Sequence, residues 1–92
     1  MKTATAAPEP NHELRGAIRV QLSALPQGRA ASVGFIVKTI NKTTPLVCDE
    51  AAVQAALDWN HDRGWVDYRY NSELEWDEWF LTPRGREKEG LK

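Results

Sequence analysis

The chain reads as one α+β domain of three amphipathic helices, a two-stranded antiparallel hairpin and a short closing helical segment. Three observations predict it. Apolar residues recur at helical spacing in three stretches between residues 12 and 63; alternation of aromatic and polar residues begins at Trp65; and a polar run, Asn71-Ser72-Glu73, divides the alternating region in two. Ninety-two residues, 41% apolar and 27% charged, suffice for a single small domain and make a second very improbable.

Residues 1–10 carry two prolines and little apolar surface, so they cannot offset the entropy of ordering themselves; a frayed arm is expected, with the domain spanning 11–90. Asn11 is placed to cap the first helix, in which Leu14, Ala17, Ile18, Leu22 and Leu25 follow at helical spacing and Pro26-Gln27-Gly28 ends the run. Ser32 caps a second helix bearing Val33, Ile36, Val37 and Ile40 at i, i+3, i+4 and i+7. Its β-branched content also suits a buried strand, so periodicity and context decide for helix. Asp49 caps the third, with Ala52, Val53, Ala56, Leu57 and Asn60 on one face and Gly64 as the left-handed residue that stops it. Trp65 to Asn71 alternates as a half-exposed strand, Glu75 to Leu81 returns, and Pro83 opens a last segment ending at Gly90. Two strands alone are marginal, so the hairpin must pack on the helices.

A net charge of −1 conceals strong segregation. Residues 1–48 hold six Lys/Arg against two Glu, a net +4; residues 49–79 hold nine Asp/Glu against Arg63 and Arg69, a net −7; residues 80–92 return to +2. The lone Cys48 excludes an intrachain disulfide, and no leader or apolar run long enough to span a bilayer is visible, so the expected setting is soluble and cytoplasmic. Asn41-Lys42-Thr43 matches a glycosylation acceptor, which without a secretion signal is read as chance. A core this small often gains stability from a second subunit, which makes a homodimer a standing expectation.

The stretch Val53-Gln54-Ala55-Ala56-Leu57-Asp58-Trp59-Asn60-His61-Asp62-Arg63-Gly64-Trp65-Val66, followed one hairpin later by Leu81-Thr82-Pro83-Arg84-Gly85, resembles the second half of a winged helix-turn-helix domain. The resemblance covers about residues 12–88 and points to small bacterial and phage regulators of the MarR, ArsR and PadR type. It implies a non-enzymatic DNA-associated regulator of transcription, with the third helix entering the major groove and the wing near phosphates. Carried onto this chain, it sets Gln54 and His61 near bases and Arg15, Arg19, Lys38, Lys42, Arg69, Arg84 and Arg86 on phosphates of double-stranded DNA. Asn60 departs from the pattern, since an apolar residue is usual there; a buried amide needs partners.

Charge argues the other way. The outward positions of the third helix are Glu50, Ala51, Gln54, Ala55, Asp58, His61 and Asp62, and the hairpin offers Glu73 and Glu75 with Asp77 and Glu78 behind them. A carboxylate within ~4 Å of a phosphate costs about 1 kcal/mol even at the dielectric of water. The alternative is a protein-protein interaction module in which Glu50, Asp58, Asp62, Glu73, Glu75 and Trp76 dock a basic partner, with the exposed indole as anchor. Arg29 and Lys2 add to a possible basic face on the first two helices, and acidic patches on one subunit can meet basic patches on another. Ordinary solvated surface competes with every such patch.

No cofactor, metal or small-molecule substrate is expected. His12, Cys48, His61 and Asp62 lack ligand spacing, and His61 and Asp62, as helix neighbours, point apart. Cys48 lies near a helix N-terminus that would lower its pKa, yet no base or oxyanion donor can be named beside it, and a small buried apolar role fits it better. No glycine-rich phosphate loop is present.

Overall fold

The computed structural model describes residues 11–26 and 28–90. Its elements are α1 (His12–Ser23), β1 (Ala31–Ser32), α2 (Val33–Thr43), α3 (Glu50–Asp62), β2 (Val66–Asn71), β3 (Trp76–Leu81) and α4 (Pro83–Lys88). The expected arm at 1–10, with Lys2, lies outside the described residues.

Each helix starts where side-chain chemistry satisfies its first amides. Asn11 Oδ1 accepts from the Glu13 and Leu14 amides, Ser32 Oγ from Phe35, and Asp49 Oδ1 from Ala52. At the end of α3, Gly64 takes φ 77°, its amide donates to His61 O, and the Trp65 amide donates to Asn60 O. This pair of bonds closes the last carbonyls and turns the chain into β2. Thr82 couples the two ends of the hairpin: its hydroxyl donates to Gly64 O at 2.6 Å and accepts from the Gly85 amide at 2.9 Å, capping α4.

The sheet is antiparallel with order β1-β3-β2, so the expected two-stranded hairpin gains a third strand. β2 and β3 pair along their whole length, from Val66 opposite Leu81 to Asn71 opposite Trp76. β1 adds only two residues, Ala31 opposite Trp79 and Ser32 opposite Glu78. Two residues are too short to show a period of two, and Ala31 earns its place by burial against Trp79. The return strand also begins one residue later than expected, because the turn runs through Glu75.

Leu14, Ile18 and Leu22 of α1, Ile36 and Ile40 of α2, and Val53, Ala56 and Leu57 of α3 form the core, closed below by Ala31, Val66, Trp79 and Leu81. Together they hide the apolar face of each helix, the main driving force available to so small a domain. Asn60 is fully buried among them and finds the partners such an amide requires. Its Nδ2 donates to Ala56 O at 2.9 Å and Arg15 O at 3.3 Å, and its Oδ1 accepts from Arg19 Nη1 at 2.9 Å. Arg19 Nε in turn donates to Glu89 Oε2 at 2.6 Å, joining α1, α3 and the turn after α4.

Gly85 is the tightest point in the fold. A Cβ there would overlap the Trp65 carbonyl oxygen and stand 2.8 Å from Leu81 Cδ1, so α4 can lie against the start of β2 only through a glycine. No helix among the described residues is long and apolar enough to cross a membrane.

Candidate functional site

The hairpin tip and the outer face of α3 carry an acidic set, exposing Glu50, Asp58, Asp62, Glu73, Glu75 and Asp77. Within it lie Leu74, 53% exposed, and Trp76, 46% exposed. Both are anchored rather than loose. Asn71 Oδ1 accepts from the Glu73 and Leu74 amides, the Glu75 amide closes the turn on Asn71 O, and Glu75 itself takes φ 59°. The Trp76 indole N–H donates to Glu78 Oε2 at 3.2 Å, and the same oxygen accepts from Asn71 Nδ2 at 3.3 Å. The indole is therefore held in one orientation.

Between this tip and the start of α2 and α3 runs an open groove of about 520 Å³. Trp76, Trp79 and Val33 supply its apolar surface, and Glu50, Gln54 and Asp77 its polar rim. The arrangement suits a cation with an apolar stem: a guanidinium or ammonium can lie on the indole face while carboxylates bracket its charge.

A cationic cluster rests on aromatic rings. Arg15 and Arg63 cover the Trp59 ring, their guanidinium carbons 3.8 and 3.4 Å from its centroid; Arg19 and Lys88 approach the Trp65 ring at 5.0 and 4.8 Å. Trp59 and Trp65 lie 5.8 Å apart and tilted, linking the two stacks. A separate groove of about 290 Å³ gathers Arg29, Arg69 and Arg86 around Leu22, Leu25, Phe80 and Leu81, with no carboxylate among the described residues that line it.

The residues proposed for DNA do not share one face. Arg19 is turned inward, its side chain 11% exposed and engaged by Glu89, Asn60 and the Trp65 ring. Arg15 lies on Trp59, with Nη2 3.3 Å from His12 Nδ1. Lys38 and Lys42 are exposed on α2, Arg69 reaches across to Gly28 O at 3.0 Å, Arg84 covers Gly64, and Arg86 is half-buried in the arginine groove. On α3, Gln54 Nε2 donates to Asp58 Oδ1 at 2.9 Å. His61 stands beside Tyr68, with Nε2 3.5 Å from Asp67 Oδ1. By contrast, Glu50 and Trp76 of the protein-docking set meet in the groove, Glu73 and Glu75 flank it at the tip, and Asp58 and Asp62 extend the same acidic face along α3.

Cys48 corrects one expectation. Partial burial pushes its thiol above the usual range and the neighbouring Asp49 carboxylate adds to the shift, so proximity to the α3 N-terminus does not win. Its backbone is clamped by Asn41, whose Nδ2 donates to Cys48 O at 2.9 Å and whose Oδ1 accepts from the Cys48 amide at 2.8 Å. Asn41 thus holds the loop before α3 in place. Among the described residues no three His, Cys, Asp or Glu side chains gather as metal ligands would.

Sequence reasoning missed the arginine groove and the role of Leu74. The Trp59–Arg63 stack was open to it, since the two are four apart on one helix. Arg19 meeting Glu89 was not, because seventy residues separate them. In comparisons with known proteins, no family model, no curated protein and no solved structure matches this chain.

Proposed function

We propose that this chain is a winged-helix module that binds a protein partner, taking a basic segment into the groove between its hairpin wing and α3. Three helices followed by a hairpin and a closing helical turn, in that order, support the winged-helix reading. The observation that carries the docking reading is the fixed, half-exposed Trp76, with Glu50 and Asp77 on the groove rim and Glu73 and Glu75 beside it. An oriented indole that shares its groove with carboxylates offers both the anchor and the charge complement for an arginine or lysine side chain. The same carboxylates oppose a phosphate backbone, and two of the cations a DNA-binding role needs, Arg15 and Arg19, lie on tryptophan rings. That ordering places the regulator reading second: duplex DNA would have to meet Lys38 and Lys42 on α2 rather than the outer face of α3.

The test is a tryptophan-fluorescence titration with a short arginine-rich peptide and, in parallel, with generic duplex DNA. Peptide binding that weakens at least about tenfold in Glu73→Lys plus Glu75→Lys is the expected result. Duplex binding that falls steeply between ~50 and ~200 mM salt, with peptide capture unchanged in the variant, would overturn it in favour of DNA.

A further inference from the structure

Both halves of a docking pair are present on the same molecule. The hairpin tip presents Glu73-Leu74-Glu75-Trp76-Asp77, in which exposed carboxylates alternate with two exposed apolar side chains. The arginine groove presents the reverse, with Arg29, Arg69 and Arg86 set around Leu22, Leu25, Phe80 and Leu81. The groove's floor continues toward Phe35, 49% exposed, through a neighbouring depression that shares Leu25, Pro26 and Arg29. Acid and apolar groups on one surface thus match base and apolar groups on the other.

A chain cannot satisfy this match by itself. The tip lies at the Asn71–Trp76 end of the hairpin, whereas Phe80, Leu81 and Arg86 lie at or beyond its Leu81 end. Six residues of strand separate the ends by roughly 20 Å. The paired ladder between them is fixed in register, so the tip cannot fold back.

We infer that the hairpin tip of one copy docks into the Arg29–Arg69–Arg86 groove of a second copy, with Leu74 and Trp76 on its apolar floor and Glu73 and Glu75 on its guanidinium groups. This rests on the acidic, Trp76-bearing tip of the docking reading above and seats that tip in a folded basic groove of a second copy rather than receiving a basic segment. The contact joins unlike surfaces, so each added copy leaves one free tip and one free groove unless the set closes into a ring or a reciprocal pair. The contact area is small and rich in charge, so association is weak and salt-sensitive.

Sedimentation velocity on the full chain tests it. The wild type gains mass as concentration rises toward roughly millimolar at ~50 mM salt, and reverts to monomer by ~300 mM. The tip variant Glu73→Lys plus Glu75→Lys and the groove variant Arg29→Glu plus Arg86→Glu each stay monomeric where the wild type assembles. Mixed together they associate, because the intact tip of the groove variant fits the intact groove of the tip variant, and the reversed lysine tip meets a reversed glutamate groove. A wild type that remains monomeric at every concentration overturns the inference, as does self-association unchanged in both variants or a mixture that forms no complex. Salt reversal of the wild type reads the contact without any substitution. A wild type that captures the arginine-rich peptide yet never self-associates refutes this inference alone; one that does neither refutes the docking reading as well.

Discussion

Replacing Asn60 by leucine removes a buried amide whose work is to hold an arginine. Asn60→Leu keeps the branched shape and the number of side-chain heavy atoms while adding bulk, so no cavity enters the estimate. Its Nδ2 donates to the Ala56 and Arg15 carbonyls, which lie within helices and keep their helical bonds, so those losses are small. Its Oδ1 is different, because it accepts from the Arg19 guanidinium in a setting that admits little water. Losing a hydrogen bond to a charged group costs on the order of 1.5–3 kcal/mol, and the added apolar burial returns about 1 kcal/mol. The net expected loss is about 0.5–2 kcal/mol, read as a lower urea midpoint at unchanged m-value. A cycle with Arg19→Met isolates the pair. If the amide serves the guanidinium, the double variant is less damaged than the two single losses together by at least about 1 kcal/mol, since no charged donor is left stranded. Additivity within ~0.3 kcal/mol would refute the reasoning and assign Asn60 to its two carbonyl bonds alone.

Three further expectations come from single positions. Gly85→Ala improves helix propensity yet drives a methyl into the Trp65 carbonyl, so a loss of about 3 kcal/mol or more is expected in a thermal melt. Glu75→Gly relieves the left-handed backbone at the hairpin tip and stabilises the fold by about 0.5–1 kcal/mol in urea, while weakening capture of the arginine-rich peptide. Because burial and Asp49 both favour the neutral thiol, Cys48 is alkylated by iodoacetamide more slowly than an unhindered thiol at neutral pH, and its rate climbs only at a higher pH than usual; Asp49→Asn shifts that rise to lower pH.

Most of the scaffold was legible because it is written in local chemistry. Asn11, Ser32 and Asp49 each bond the amides that their capping role requires, and Gly64 ends α3 in the left-handed conformation expected of it. The alternation from Trp65 onward becomes the paired β2 and β3. β1 was invisible because Ala31 and Ser32 are strand only by virtue of their neighbour on β3. The exposure of Glu50, Asp58, Asp62, Glu73, Glu75 and Trp76 was legible too, as positions on one helix and one turn that lie close in sequence. Long-range partners were not. Spacing put Arg15 and Arg19 on an outer face of α1, but it cannot say that Trp59 and Trp65, forty residues or more away, lie beneath them. Likewise the arginine groove draws its walls from α1, the loop after it, β2, β3 and α4, which no single window of sequence contains.

Stacking cations on indole rings has an outcome that pairing them with acids would not. A π-face attracts a cation without cancelling its charge, so Arg63 and Lys88 give up much of their freedom to move over Trp59 and Trp65 without being neutralised by those rings. The chain is nearly neutral in sum yet its charge is segregated along the sequence, −7 over residues 49–79 between flanks of +4 and +2. Unlike patches on different molecules attract most strongly in dilute buffer, so solubility is expected to rise as added ions shorten that reach.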